Sequence, residues 1–234
     1  MLFDLQSRGR KNVVRVIYLW LAILLGGGLV LFGIGTGVEG GGIVDIFNSG
    51  EDTSAQVSRA ETRANRAVRQ NPDDPQAWAD LARARYQTAG LGDNYDSATN
   101  AFTASGREKL ETAAAAWQRY LALDPERPDP TLARLMAGAY AETGLNQPAE
   151  AAAAMEIVTE EQPSAAAYGA LAQYAYLADQ MRKGDLAAAK AVELAPEAQK
   201  RLVRRQLADV KRQILQRQIE EAVQQGAVET SPGG

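Results

Sequence analysis

The 234-residue chain contains no cysteine and no histidine. Without cysteine there is no disulfide, no thiolate nucleophile and no iron–sulfur ligation. The acylated cysteine that holds a bacterial lipoprotein to its membrane is missing too. Without histidine, the His-based catalytic triads and nearly all zinc sites are excluded. Aromatic residues are few, at 6% of the chain. An excess of basic charge is also lacking: 25 Lys and Arg stand against 29 Asp and Glu, for a net charge of −4. The bulk charge therefore does not point to nucleic acid as a partner. What the chain has in quantity is alanine, with few β-branched residues beside it. Alanine loses no side-chain entropy on entering a helix, so the composition predicts an all-α protein.

From Val16 to Val38 run 23 residues without a charge. As a helix they would extend about 34 Å, enough to cross a hydrocarbon core of about 30 Å. A secretory signal peptide would have a shorter apolar region and a small-x-small cleavage site, and no clear site of that kind follows. A retained single transmembrane helix over 16–38 is the expectation, behind a basic segment over 1–15. Arg8, Arg10, Lys11 and Arg15 precede the run, whereas Glu39, Asp45, Glu51 and Asp52 follow it. Basic flanks stay on the cytoplasmic side, which places the N-terminus inside and the rest of the chain outside the cell membrane. Gly33 and Gly37 form a G-x-x-x-G, a spacing that lets two transmembrane helices approach closely; membrane helices also tolerate glycine without any such contact. A Gly-rich juxtamembrane linker is expected over 39–54.

Beyond the linker the sequence repeats itself loosely. Helices ending at Val68, Leu123 and Leu194 each meet a proline within a few residues, at Pro72, Pro125 and Pro196, which they cannot continue through. A large residue recurs six positions later in two cases, Trp78 and Leu202. One complete unit carries Tyr168, Leu171 and Ala172 in a first helix, then Gly184, Ala188 and Ala191 in a second, closed by Pro196. An earlier unit carries Trp78, Leu81, Ala82 and Tyr86, then Ala113, Trp117, Tyr120 and Pro125. Between them lies a weaker one with Ala133, Met136, Ala137 and Tyr140, then Gly144, Ala151, Met155 and Val158. Ala60, Ala64, Ala67 and Pro72 read as the second helix of a partial leading unit. This pattern resembles the tetratricopeptide repeat (TPR) family, whose units pair one helix carrying a large aromatic with another carrying spaced small residues and a closing proline. The resemblance implies a short TPR-like α-solenoid of about three degenerate repeats over 55–225, with an insertion at 91–110. Small residues would let paired helices approach, and stacking would create the core that no single unit can bury. Val203, Leu207, Val210 and Ile214 make a stripe on a last helix over about 197–223, which would cap the stack or pair with a partner helix. A disordered tail is expected over 226–234.

No motif arranges the remaining acids and bases for catalysis: there is no phosphate-binding P-loop, no S-x-x-K and no G-x-S-x-G. The expectation is a protein that is not an enzyme, with no cofactor, no metal, no nucleic acid and no small-molecule substrate. Its partners would be other proteins or peptide segments, with the lipid bilayer met through one transmembrane helix. In TPR proteins the inner face comes largely from the first helix of each pair. The resemblance therefore implies a groove faced by Ala79, Arg83, Tyr86, Arg134, Gly138, Gly169, Gln173 and Tyr176. Arg83, Tyr86, Arg134, Gln173 and Tyr176 would carry recognition, since Arg and Tyr are common at interface hot spots; they also serve as ordinary surface and packing residues. The 91–110 insertion, with Tyr95 and Phe102, would either dock onto a partner or pack back onto its own domain. The expected role is an adaptor, chaperone-like or assembly factor on the extracytoplasmic side of a bacterial membrane. The alternative is an accessory or regulatory subunit of a membrane complex, contacting partners through Gly33 and Gly37.

Overall fold

Capping residues and prolines divide the chain into helices where the sequence leads one to expect. The computed structural model describes residues 51–229, and within them the protein is all-helical: eight α-helices, with two strands of two residues each. The chain divides into two units, Met1–Gly42 and Ile43–Gly234, and every described residue belongs to the second. No helix among the described residues is long and apolar enough to cross a membrane. The expected span over 16–38, with Gly33 and Gly37, lies outside the described residues, as does the linker up to residue 50.

Helix α1 spans Glu51–Gln70, so the first residues assigned to the domain, from 55, lie one turn inside a helix, and 51–54 belong to that helix rather than to a linker. Pro72 follows its end, and Trp78 in α2 (Pro75–Ala89) donates its indole N–H to the Pro72 carbonyl at 2.8 Å. The six-residue spacing seen in sequence thus has a cause, a hydrogen bond across the turn. Asp74 caps α2 through the Gln76 N–H, with Pro75 in the first turn, where its missing N–H costs nothing. The same device starts α4 (Pro130–Ala139): Asp129 accepts from the Thr131 and Leu132 N–H groups. Thr103 caps α3 (Ala104–Ala122), and Ser164 caps α6 (Ala165–Leu177). Helices α5 (Pro148–Glu161), α7 (Met181–Leu194) and α8 (Lys200–Glu229) complete the set.

Each helix from α1 to α3, and again from α4 to α8, packs mainly on the next in sequence; α2 also lies against α4 and α8 against α6. Alanine makes this close stacking possible. Ala82, Ala89, Ala113, Ala116, Ala133, Ala151, Ala152, Ala167 and Ala172 are all fully buried. Between them sit the few large side chains, with Leu81, Leu110, Leu132, Met136, Tyr140, Val158 and Tyr176 the largest that are essentially inaccessible. On α8, Val203 and Ile214 are buried and Leu207 and Val210 are partly buried against the core, so the 4-3-4 stripe faces the body of the domain. The helix continues through Glu229, past the point at 226 where a disordered tail was expected. Gly226 costs a helix only about 1 kcal/mol relative to alanine, and no proline intervenes before Pro232.

The 91–110 insertion is an ordered corner. A 3₁₀ turn over Gly92–Asn94 leads into an antiparallel pair, Tyr95–Asp96 with Ala101–Phe102, and residues from Ala104 on already belong to α3. Asp96 holds the tip by accepting from the Ala98 N–H and the Thr99 hydroxyl, both at 2.8 Å. Phe102 turns inward, buried edge-on against Tyr95 at 5.1 Å and Tyr86 at 6.5 Å between ring centroids. Gly106 permits this, because a Cβ there would stand 2.0 Å from the Asn94 carbonyl oxygen.

Candidate interaction surface

Three helices, α2, α4 and α6, carry the residues expected to face a groove. The structure places these residues in three different situations. Tyr86 and Tyr176 are core residues, 6% and 2% exposed, and do not present their rings to a partner. The Tyr86 hydroxyl lies 3.5 Å from where a Cβ on Gly138 would stand, so the ring bridges α2 to α4. Tyr176 donates its hydroxyl to Asp185 Oδ1 at 2.9 Å, and Lys211 of α8 sits over its ring, 5.5 Å from the centroid. Lys211 also pairs with Asp185 at 2.6 Å, which fastens α6, α7 and α8 at one point.

Arg83 is half-buried and engaged. It pairs with Asp80 at 3.0 Å and with Asp129 at 2.5 Å, and Asp129 is the residue that caps α4. The Tyr120 hydroxyl accepts the Asp129 N–H at 2.8 Å. A guanidinium on a capping carboxylate joins α2 to the start of α4, which is an architectural task. Phe102 is buried and Tyr95 half-buried in the corner described above, so the insertion packs back onto its own domain. The residues that stay accessible are Arg134, exposed on α4, and Gln173, half-buried on α6, with Gly138 and Gly169 beside them. C-terminal helix α8 covers part of this face, since Leu207 comes within 3.9 Å of a Cβ position on Gly169.

Tyr174 is the residue that sequence reasoning passed over. It lines a cleft of about 280 Å³ with Tyr140, Glu142, Asn146, Leu177 and Arg217, where Arg217 of α8 reaches Glu142 at 3.2 Å. Its spacing on α6 sets it one position past Gln173, outside the pattern carried over from the repeat. Among the described residues no group of three or more acidic side chains is placed to hold a metal ion.

The tyrosines on these helices share one electrostatic property. Burial, and then the neighbouring Tyr174 and Tyr95, push the Tyr86 hydroxyl up to about 12. Burial, and then Glu150, push Tyr140 up to about 12 as well. Both stay neutral hydroxyls at physiological pH. The folded values lie above the usual value near 10, so their contribution to stability is complete below pH 10 and is lost as pH rises towards 12. Alkaline titration followed by far-ultraviolet circular dichroism should show cooperative loss of helix in that window. Tyr86→Phe should shift the transition to higher pH, because the proton-linked loss at that site disappears.

The architecture therefore defines an all-α protein whose described surface offers contact area and hydrogen-bonding groups. Comparison with known proteins identifies no matching family model and no matching curated protein.

Proposed function

We propose that this chain is a membrane-tethered, TPR-like protein-interaction module, an adaptor, chaperone-like or assembly factor facing the extracytoplasmic side of a bacterial membrane. The observation that carries this reading is the order of packing. Helix pairs α2–α3, α4–α5 and α6–α7 follow one another along the chain, with α2 against α4. Small residues are buried where the repeat pattern calls for them, as at Ala82, Ala137 and Ala172. Consecutive pairs of this kind form an α-solenoid, and solenoids act by presenting extended surface to other proteins. Helix α8 closes the stack with its apolar stripe. The uncharged run over 16–38, with its basic leading flank, supports the tether and its orientation.

Site-specific photo-cross-linking on the full-length protein in its own membrane tests this. The probes belong at Arg134 and Gln173, which are accessible, rather than at the buried Tyr86 and Tyr176, with a control at the exposed Gln213 on α8. Capture of a defined protein from Arg134 and Gln173, and not from Gln213, is the expected result. Capture only from a probe at Gly33 would overturn it in favour of an accessory subunit held through its transmembrane helix.

A further inference from the structure

Helices α2, α4 and α6 are each followed by a helix that packs along them, and α8 has no such follower among the described residues. What remains between α7 and α8 is an open groove of about 350 Å³. Its floor is apolar, built by Ala188, Ala189 and Val192 from α7 and by Leu207 and Ala208 from α8. On α7, positions 185, 188, 189 and 192 fall on one face; on α8, positions 204, 207, 208 and 211 do the same. The Lys211–Asp185 pair, with Asp185 also held by the Tyr176 hydroxyl, lines the groove.

The flanks carry an excess of positive charge. Arg204 lines the groove, Arg201 and Arg205 lie within a turn of it on α8, and Arg182 precedes Ala189 by two turns on α7. All four are exposed, and none pairs with a carboxylate among the described residues. On α8 the carboxylates nearest in sequence are already taken, Glu197 by Lys200 and Asp209 by Arg212, and Asp185 beside Arg182 is taken by Lys211; Asp179, three residues before Arg182, is exposed. Four guanidinium groups without an ion pair of their own, around a groove with an apolar floor on a chain of net charge −4, make a local positive field with a shape.

We infer that the α7–α8 groove is a docking site for an acidic amphipathic helix of a partner protein, which lies along α8 as α3 lies along α2. Its apolar stripe rests on Ala188, Val192 and Ala208, and its carboxylates meet Arg182, Arg201, Arg204 and Arg205. Alanine on both walls lets an incoming backbone approach closely, the same packing rule that governs the rest of the stack. Concavity favours a helix over a lipid surface, which needs a flat or convex face to meet it. This deepens the protein-binding reading above but uses a different face from Arg134 and Gln173.

Fluorescence anisotropy on the full-length protein tests it with a labelled synthetic helix whose leucine stripe is flanked by glutamates, and with a counterpart carrying lysine at every glutamate. The acidic helix should bind and the basic one should not. Arg201→Glu combined with Arg204→Glu should weaken the acidic helix at least tenfold and admit the basic one. Ala208→Trp, which fills the trough from an exposed position, should abolish binding while circular dichroism and thermal melting stay those of the parent. Failure of the acidic helix to bind, equal binding of both helices, or its displacement by phosphatidylglycerol vesicles but not phosphatidylcholine vesicles would each overturn the proposal. If the groove fails while cross-linking from Arg134 and Gln173 still succeeds, the general protein-binding reading stands without it.

Discussion

Replacing Trp117 with alanine should cost about 3–5 kcal/mol, within the range for emptying a buried aromatic site. Trp117 is 3% exposed in the middle of α3, with its ring 5.4 Å from that of Tyr120. The surroundings explain why the cost should not fall below that range. Ala113, Ala114 and Ala116 share its helix, and five of the seven buried residues of α2, on which α3 packs, are alanines. A methyl group has no rotamers with which to fill a void, so the cavity would persist and its lining would lose dispersion contacts outright. Natural domains hold only about 5–15 kcal/mol in total, so the loss is a large part of the whole. For a chain of this size it corresponds to a fall in melting temperature on the order of 10 °C. Packing between consecutive helices adds a spatial prediction. Hydrogen exchange should show protection falling most in α2 and α3 and least in α7 and α8. A uniform fall across all eight helices would mean that the domain unfolds as one unit, and that packing between neighbours does not limit the damage. Trp78→Phe, which removes the bond to Pro72 together with part of a half-buried ring, should cost about 1–2 kcal/mol.

The contrast between Trp117 and Tyr86 marks how far a sequence could be read here. Spacing and proline placement located the helices, because those signals have local causes such as the Trp78–Pro72 hydrogen bond and the Asp74 and Asp129 caps. All-α architecture followed from alanine content and from the absence of anything favouring strands. Which way a tyrosine faces has no local cause. Tyr86 and Tyr176 hold the positions of a groove in the repeat pattern, yet Gly138 and Gly184 open space that draws both rings inward. Arg83 looked free for recognition because, besides the local Asp80, its tertiary partner Asp129 is 46 residues away and doubles as a helix cap. The corner at 95–102 was illegible for a different reason. Its strands are two residues long, too short for an alternating pattern to show, and Phe102 is fixed by Tyr86 of another helix. The α7–α8 groove was hidden because the stripe Val203, Leu207, Val210 and Ile214 shows that one face of α8 is covered. It says nothing of the neighbouring face, where Arg204 and Ala208 lie.

Two glycines within helices should respond to alanine with opposite signs. Glycine costs a helix about 1 kcal/mol relative to alanine, so Gly→Ala stabilises wherever the added methyl has room. At Gly169 in α6 the new Cβ would meet Leu207 Cδ2 at 3.9 Å, an ordinary van der Waals contact. Gly169→Ala should therefore raise stability by about 0.5–1 kcal/mol. At Gly184 in α7 the Cβ would stand 2.4 Å from both Cδ1 and Cε1 of Tyr176. That ring cannot step aside cheaply: it is 2% exposed, its hydroxyl is held by Asp185, and Lys211 sits over its face. Overpacking of this kind costs about 1–3 kcal/mol and more when the displaced group is bonded, which exceeds the gain in propensity. Gly184→Ala should lower stability and loosen α8, since Tyr176, Asp185 and Lys211 move together. Urea denaturation of both variants, together with Tyr176→Leu and the double variant Gly184→Ala/Tyr176→Leu, completes a cycle that isolates the clash. The double variant should be more stable than the sum of the single changes by about 1 kcal/mol or more. Strict additivity would mean that the ring yields without cost, and that Gly184 is not what sets the approach of α7 to α6.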